Sequence, residues 1–142
     1  MILPDVNVLI YAFRPDAARH VEYRAWLVEV VNGRDPYGIA PQVLSSVVRI
    51  CTQARFFQRP SSLADTLAFC DVLLAPDHCT QIAPRERHWT LFTDLCRHTR
   101  ATGGLVPDAW FAALAIEHGC EWISADADYA KFPGLRWRRP FE

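Results

Sequence analysis

Short apolar segments that are typical of strands alternate along this chain with longer segments of helical periodicity. Strands are predicted at residues 2–10, 36–40, 79–83, 120–126 and 135–139. Helices are predicted over 18–32, 42–53, 86–99 and 107–118, with a further helix after Pro60. Because parallel strands require helical crossovers, this order predicts a mainly parallel sheet with helices on both faces. The predicted fold class is therefore α/β.

Length and composition are those of a globular domain rather than of a membrane protein or a disulfide scaffold. The 142 residues are 51% hydrophobic and 22% charged, so we expect one domain over residues 1–142. No apolar run approaches the roughly 20 residues that cross a membrane, and the N-terminus does not resemble a signal peptide. The five cysteines are odd in number and include no C-x-x-C pair. This pattern favours buried thiols in a reducing cytoplasm.

Apolar residues at helical spacing predict which side of each helix faces the core. The expected core-facing residues are Leu63, Leu67 and Cys70 in the helix capped by Ser61 or Ser62, Trp89, Phe92 and Cys96 in the helix over 86–99, and Ala109, Ala112, Ala113 and Ile116 in the last helix. The small residues of the last helix predict close packing on the sheet.

Four aspartates lie in otherwise apolar or small-residue surroundings. Asp5 interrupts the segment "MILPDVNVLIYA", and Asp108 follows Pro107 at the start of the last predicted helix. Asp126 and Asp128 follow the apolar segment "CEWIS". Ligands of parallel sheets bind outside the carboxyl ends of the strands. We therefore predict that Asp5, Asp108 and Asp126 meet at that edge of the sheet.

Carboxylates gathered in one cleft repel one another and raise one another's pKa values. A hard divalent cation removes this repulsion, and Mg²⁺ or Mn²⁺ prefers oxygen ligands. Such an ion activates water and stabilises charge on a phosphoryl oxygen, so phosphodiester hydrolysis is the leading chemistry. The net charge of −1 argues against a large non-specific nucleic-acid footprint, but a bound cation can itself contact a phosphate.

Each aspartate also has a purely structural interpretation. Asp108 is typical of a helix start, where the helix dipole favours an anion. Asp126 and Asp128 can form an Asx turn after the strand. Asn7 either orients Asp5 or caps the following turn. The residues by themselves leave these alternatives open.

Three segments together resemble the PIN-domain ribonucleases, specifically the VapC toxins of bacterial type II toxin–antitoxin pairs. They are "MILPDVNVLIYA", "LVPDAWFAALAIEHGC" and "WISADADYAKFPGLRW". Their motifs are an N-terminal D-x-N, a P-D-A ahead of an A-x-A helix, and an S-x-D-x-D-[FY] turn, and the likeness spans nearly the whole chain. The resemblance implies a single-domain, PIN-like α/β/α sandwich that cleaves RNA with Mg²⁺, or with Mn²⁺ as a substitute.

The resemblance also implies roles for residues and partners. Asp5 and Asp108 are expected to be the principal metal ligands and, with Asp126, to form the catalytic acidic site. Asp128 is expected to be an auxiliary ligand or a structural residue. Relatives of this kind are usually homodimers, held inactive by a small cognate VapB-like antitoxin whose tail enters the active-site groove.

The chain departs from the family pattern in the helix after the second strand. The family commonly has a glutamate there, whereas this chain reads "VLSSVVRI", with Ser45 and Ser46 and no acid. Either hydroxyl can support a water at the metal, and Asn7 is a further candidate for supporting the ligands. Weaker metal binding, compensation by Asp128 and a single-ion enzyme are all compatible with this departure.

Two other functions compete with the endoribonuclease toxin, which we rank first. The missing glutamate supports a catalytically weak or inactive module that binds RNA or antitoxin, although uncompensated buried carboxylates would only destabilise such a scaffold. A phosphotransfer domain with Asp5 as nucleophile needs a second aspartate where Asn7 stands, and a late lysine. Lys131 is the only lysine of the chain, and this function ranks last.

Overall fold

The computed structural model describes residues 1–141, which form five short strands, six α-helices and one 3₁₀ helix. The strands are β1 (Ile2–Pro4), β2 (Tyr37–Ile39), β3 (Cys79–Gln81), β4 (Glu121–Ile123) and β5 (Trp137–Arg138). The helices are α1 (Val6–Phe13), α2 (His20–Asn32), α3 (Pro41–Cys51), α4 (Leu63–Leu74), α5 (His88–Thr99) and α6 (Leu105–His118), and the 3₁₀ helix spans Ala127–Lys131. Within residues 1–141, no helix combines the length and apolar character that crossing a membrane requires.

The strands form one sheet in the order β3-β2-β1-β4-β5, and every neighbouring pair is parallel. In the centre, Ile2 is in register with Tyr37 of β2 and with Glu121 of β4. The chain moves outward from β1 through β2 to β3, and then returns to the other side of β1 to form β4. Such a reversal opens a crevice at the carboxyl ends of the two central strands, where α/β sheets bind ligands. The predicted α/β class with a mainly parallel sheet is confirmed.

The core lies between the central strands and the helices packed on them. Leu3, Ile39 and Trp122 have no more than 1% of their surface exposed. Trp122 stacks on Phe111 of α6 with 5.4 Å between ring centroids. The predicted small-residue face of α6 is confirmed for its alanines, because Ala109, Ala112 and Ala113 are fully buried. This close packing holds the first turn of α6 at the edge of the sheet.

The prediction of a strand over residues 2–10 is wrong, because β1 ends at Pro4 and α1 begins at Val6. Asp5 separates the two elements as the N-cap of α1, and its carboxylate accepts a hydrogen bond from the Val6 amide at 2.7 Å. A short apolar run satisfies strand and buried-helix patterns equally well, so hydrophobicity alone did not reveal the cap.

The predicted core-facing residues of α4 are also wrong in part. Leu63 is 58% exposed and Leu67 is 45% exposed, whereas Thr66, Cys70 and Leu73 are buried. Both sets have the same helical spacing, and they differ by a rotation of the helix. Thr66 tolerates burial because its hydroxyl donates to a backbone carbonyl of the preceding turn at 2.8 Å.

In α5 the buried residues are His88 and Leu95, whereas Trp89 is 64% exposed and Phe92 is only partly buried. Sequence pattern assigned the core to the tryptophan, which is the more apolar residue. The His88 ring instead packs against Trp110 with 4.1 Å between centroids, and its Nε2 bonds the Trp110 carbonyl at 2.9 Å. This hydrogen bond satisfies a polar ring inside the core.

Two element boundaries near the aspartates differ from their predicted positions by a few residues. α6 begins at Leu105, so Pro107 is its third residue, and Asp108 remains in the first turn. β4 ends at Ile123, so Asp126 lies in the turn beyond the strand and not at its last position. Both aspartates therefore stay at the carboxyl edge of the sheet.

Candidate active site

Asp5 lies at the carboxyl end of the central strand and is 6% exposed. Its backbone amide donates to the Ile123 carbonyl at 2.8 Å, which continues the pairing of β1 with β4 by one residue. Its two carboxylate oxygens accept separate hydrogen bonds, one from the Val6 amide at 2.7 Å and one from the Ser124 hydroxyl at 2.6 Å. The fold thus holds the Asp5 carboxylate in one orientation in the crevice between β1 and β4.

Ser124 joins the two central strands through its hydroxyl group. Besides donating to Asp5, Ser124 Oγ accepts from Asn7 Nδ2 at 3.2 Å and from the Asp126 amide at 3.0 Å. Asn7 Oδ1 in turn accepts from the Ala125 amide at 3.2 Å. Asn7 therefore supports the turn after β4 and, through Ser124, the orientation of Asp5.

Asp108, Asp126 and Asp128 form an acidic cluster, in which one carboxylate oxygen of each residue lies within 4.8 Å of the others. Asp108 is in the first turn of α6, and Asp126 caps the 3₁₀ helix by accepting from the Asp128 amide at 2.8 Å. The Asx-turn interpretation of Asp126 and Asp128 is therefore correct as geometry. The same turn brings both carboxylates towards Asp108, so the structural and the chemical interpretations do not exclude each other.

Tyr129 follows this turn and is buried beneath the acidic residues. Its hydroxyl donates to Asp108 Oδ1 at 3.2 Å. Burial and the neighbouring carboxylates of Asp5 and Asp108 raise the pKa of the tyrosine, so it remains a donor. At the exposed side of the cluster, Lys131 Nζ lies 3.1 Å from Asp128 Oδ1.

The surroundings of Asp5 and Asp108 disfavour their charged forms. Burial is the largest cause that raises the pKa of Asp5 to about 6, and hydrogen bonds from Ser124 and Val6 oppose this effect. Burial also raises the pKa of Asp108, with a smaller contribution from Asp126. Neighbouring carboxylates thus add repulsion to the effect of burial at Asp5 and Asp108, which a bound cation would relieve.

Asp5 faces the same cleft as the cluster, although it is not one of the three residues with mutually close oxygens. The cleft has a volume of about 510 Å³, and Asp5, Asn7, Asp108 and Asp126 line it. Asp128 is exposed and stands at the rim of the cluster. Asp5, Asp108 and Asp126, the three aspartates expected to meet at this edge, thus line one cleft.

The two serines of α3 occupy different positions relative to the cleft. Ser46 lines the cleft, whereas Ser45 is exposed and does not belong to its wall. The two positions are 100° apart on a helix, so only one of them faces the aspartates. Ser46 is therefore the serine of the pair that lines the cleft.

Sequence analysis did not single out Ser124 or Tyr129 as site residues. Both belong to the quoted "SADADY" segment, and both contact aspartates through hydroxyl groups. The available signal was a serine immediately after an apolar strand, two residues before an aspartate, since such hydroxyls often bond nearby backbone amides. Nothing local showed that this hydroxyl reaches Asp5, which is 119 residues away in the chain.

The donor set of this site fits a hard divalent cation. Carboxylate oxygens are the ligands that Mg²⁺ and Mn²⁺ prefer, and the three clustered oxygens are close enough to share one ion. The hydrogen bonds to Asp5 leave lone pairs on both of its oxygens. The raised pKa of Asp5 and of Asp108 indicates charge that lacks compensation within the protein.

Comparison with known proteins agrees with this geometry. A family model described as PIN domain matches residues 2–135. A VapC ribonuclease of Mycobacterium bovis is 39% identical over 142 residues, which cover 100% of this chain and 97% of the relative. Ribonuclease VapC25 of Mycobacterium tuberculosis is 39% identical over 140 residues, with 99% of both chains covered.

Solved structures show the same fold at much lower sequence identity. VapBC2 of Rickettsia felis, bound to a DNA fragment of its promoter, matches with a TM-score of 0.71 at 15% identity, covering 98% of both chains. VapC20 of Mycobacterium tuberculosis, a toxin that cleaves the sarcin–ricin loop, matches with a TM-score of 0.65 at 16% identity, covering 96% of this chain and 99% of the other. The resemblance inferred from the sequence motifs is confirmed. The chain belongs to the PIN-domain family, in the group of the VapC ribonucleases.

Proposed function

We propose that this protein is a metal-dependent endoribonuclease, the toxin of a type II toxin–antitoxin pair, and that it hydrolyses RNA phosphodiester bonds. The observation that carries the proposal is the convergence of Asp5, Asp108 and Asp126 on one cleft at the reversal point of the sheet. Relatives that are 39% identical over the full chain are named as ribonucleases. Their names supply the reaction class, and the acidic cleft supplies the residues for it.

Asp5, Asp108 and Asp126 are the proposed metal ligands and catalytic residues, with Asp128 as an auxiliary ligand. Mg²⁺ is the proposed ion, with Mn²⁺ as a substitute, because the donors are hard oxygens. Held by these carboxylates, such an ion would activate a water for attack and would stabilise negative charge on the phosphoryl oxygens.

The other polar residues of the cleft orient these ligands. Ser124 and the Val6 amide fix the Asp5 carboxylate, and their hydrogen bonds favour its charged form. Tyr129 fixes Asp108 in the same way through its hydroxyl. Ser46 lines the cleft without bringing a charge, and we assign it a role in supporting water beside the phosphate. A site of this composition has fewer carboxylates than the usual family site and is expected to bind its ion more weakly.

The proposed partners follow from the same family membership. Several structural relatives were solved as toxin–antitoxin complexes. We assign this chain a cognate VapB-like antitoxin that blocks the cleft, and a homodimeric state. The five cysteines are free thiols, three of them buried, and a cytoplasmic location fits their reduced state.

The proposed activity is tested by incubating antitoxin-free protein with total RNA and with transfer RNA, in the presence of Mg²⁺, Mn²⁺ or EDTA. Asp5→Ala is the matched inactive variant, and circular dichroism establishes that it is folded. We expect discrete products with either metal, and none with EDTA or with the variant. Intact RNA from folded, metal-loaded protein would contradict the proposal.

That contrary result would favour the second candidate, a PIN-like module that binds RNA or antitoxin without cleaving. The specific observation in its favour is Ser46, which leaves the α3 wall of the cleft without an acid. Such a module would still bind its partners, so co-purification with antitoxin does not distinguish the two functions. Metal-dependent cleavage does.

A further inference from the structure

The loop between α3 and α4, residues 52–62, combines arginines with adjacent aromatic residues. It contains Arg55, Phe56, Phe57 and Arg59 in the order R-F-F-x-R. Residues 36–64 carry three arginines and no acid, in a chain with a net charge of −1. This segment is therefore a local basic region that the overall charge conceals, and arginines interleaved with aromatic residues are typical of single-stranded nucleic-acid sites.

The fold places this basic and aromatic segment along the acidic cleft. Phe56 and Phe57 of the loop, with Arg49 of α3, line the same cleft as Asp5 and Asp108. The lining of the cleft thus combines the carboxylates with one guanidinium and two phenyl rings. A phosphodiester bound in this cleft would therefore have a guanidinium as well as carboxylates among its neighbours.

Phe56 and Arg49 are free to contact a ligand. Phe56 is 50% exposed, so its ring is accessible to a ligand. The exposed Arg49 guanidinium makes no hydrogen bond or ion pair within residues 1–141. Both side chains are therefore available to contact a ligand in the cleft.

Arg14 anchors the loop through several contacts. The buried Arg14 side chain donates to Ser61 Oγ at 2.9 Å and to the Arg59 carbonyl at 2.9 Å, and Asp16 pairs with it at 2.6 Å. Its guanidinium carbon lies 3.8 Å from the centre of the Phe57 ring. Since Phe57 is fixed in this way, its neighbour Phe56 is presented to the cleft without a large ordering cost on binding.

From these contacts we infer that Phe56 is a substrate-binding residue that stacks on an unpaired base, while Arg49 contacts an adjacent phosphate. Such a contact needs an unpaired base, because paired bases offer no free face for stacking. This inference rests on the proposed nuclease function and names the substrate contact of the same site.

The test measures equilibrium binding of a labelled single-stranded RNA of about 12 nucleotides, using Asp5→Ala protein as a non-cleaving background. Adding Phe56→Ala is expected to weaken binding about 5-fold to 100-fold, and adding Phe56→Trp is expected to restore it. The matched control is Trp89→Ala, which removes an exposed aromatic ring outside the cleft wall and should leave binding unchanged. A duplex of the same sequence should bind more weakly than the single strand.

Salt dependence separates the two contacts. Arg49→Gln should lower the slope of log K against log salt concentration by about 0.7, since one phosphate contact to a single strand is lost. Phe56→Ala should leave that slope unchanged, because stacking releases no counterions. Equal binding by Phe56→Ala and its parent would overturn the inference, and so would a duplex that binds as tightly as the single strand. If Phe56→Ala weakens binding of the antitoxin but not of RNA, the inference is also overturned, and the Phe56 ring is assigned to the antitoxin interface.

Cleavage assays keep this inference distinct from the proposed function. In the otherwise unmutated protein, Phe56→Ala should raise KM more than it lowers kcat, because stacking is present in both the bound substrate and the transition state. If the unmutated protein cleaves RNA and Phe56→Ala has an unchanged KM, only the stacking inference fails. If the unmutated protein cleaves no RNA, the proposed function fails, whatever the binding data show.

Discussion

At the scale of single residues, Asp5 shows how a destabilising group is kept in position. The Asp5 carboxylate is 6% exposed, and its burial disfavours the charged form and raises its pKa to about 6. Hydrogen bonds from Val6 and Ser124 reduce this penalty without removing it. The residual unfavourable charge is the property that a cation-binding site requires.

Asp5 therefore predicts a pH dependence of stability in the metal-free protein. Its pKa is about 6 when folded and 3.8 in the reference state, so between pH 4 and pH 6 the folded chain binds a proton that the unfolded chain has released. The free energy of unfolding should fall by about 3 kcal/mol as the pH rises through this range. Asp5→Asn, which does not titrate, should lack this contribution.

Urea unfolding of both proteins in EDTA, at several pH values between 4 and 7, measures the difference. Contributions from all other titrating groups are common to the two proteins and cancel. A constant difference across the range would mean that the pKa of Asp5 is not raised in the folded state.

At the scale of secondary-structure elements, the site depends on how β1, β4 and α6 end or begin. Asp5 is the N-cap of α1, Asp108 lies in the first turn of α6, and Asp126 caps the 3₁₀ helix. Each carboxylate thus stabilises a local element and also faces the others. Ser124 connects the ends of β1 and β4, because its hydroxyl donates to Asp5 and accepts from the Asp126 amide.

Ser124→Ala is accordingly expected to destabilise the protein by about 1–3 kcal/mol at pH 7, because Asp5 loses a buried hydrogen-bond donor. The loss should be smaller near pH 4, where Asp5 is protonated and needs the donor less. Chemical unfolding at the two pH values measures this change. Ser45→Ala, at an exposed position on α3, is the matched control and should have little effect; equal losses for the two variants would contradict the role of Ser124.

At the scale of the whole molecule, the order of the strands creates the site. Because β1 and β4 are neighbours, the ends of two strands about 120 residues apart in sequence open on one crevice. α6, which immediately precedes β4, places Asp108 above the same crevice. The acidic cluster therefore exists only in the folded chain, and an ion that binds it stabilises the fold.

This coupling predicts that metal raises the melting temperature. With Mn²⁺ at about 100 times its Kd, the folded state should gain about 2.7 kcal/mol and about 5–10 °C. Asp108→Asn should abolish most of the gain. Differential scanning fluorimetry with and without Mn²⁺ tests this, and Asp71→Asn, an exposed acid of α4, serves as the control. An equal rise in melting temperature for the unmutated protein, Asp108→Asn and Asp71→Asn would mean that the metal binds outside the acidic cluster.

Much of the architecture was predictable because hydrophobic periodicity is a local property. The helices α2, α3, α5 and α6 and the strands β2 and β3 lie close to their predicted positions. The failures were the missed division of residues 2–10 at Asp5 and the core-facing residues of α4 and α5. In these segments more than one pattern fitted the sequence. The prediction of one domain over residues 1–142 stays a prediction.

The sequence by itself determined the fold class, the family and the four aspartates, since these depend on local patterns and motifs. Only the tertiary structure decided which groups share the cleft, because that depends on the order of strands and on the rotation of each helix. It placed Ser46 but not Ser45 in the cleft, joined Ser124 to Asp5, and brought Phe56 and Arg49 into the cleft that the acids line. These contacts join residues that are far apart in the chain, and no local sequence pattern predicts them.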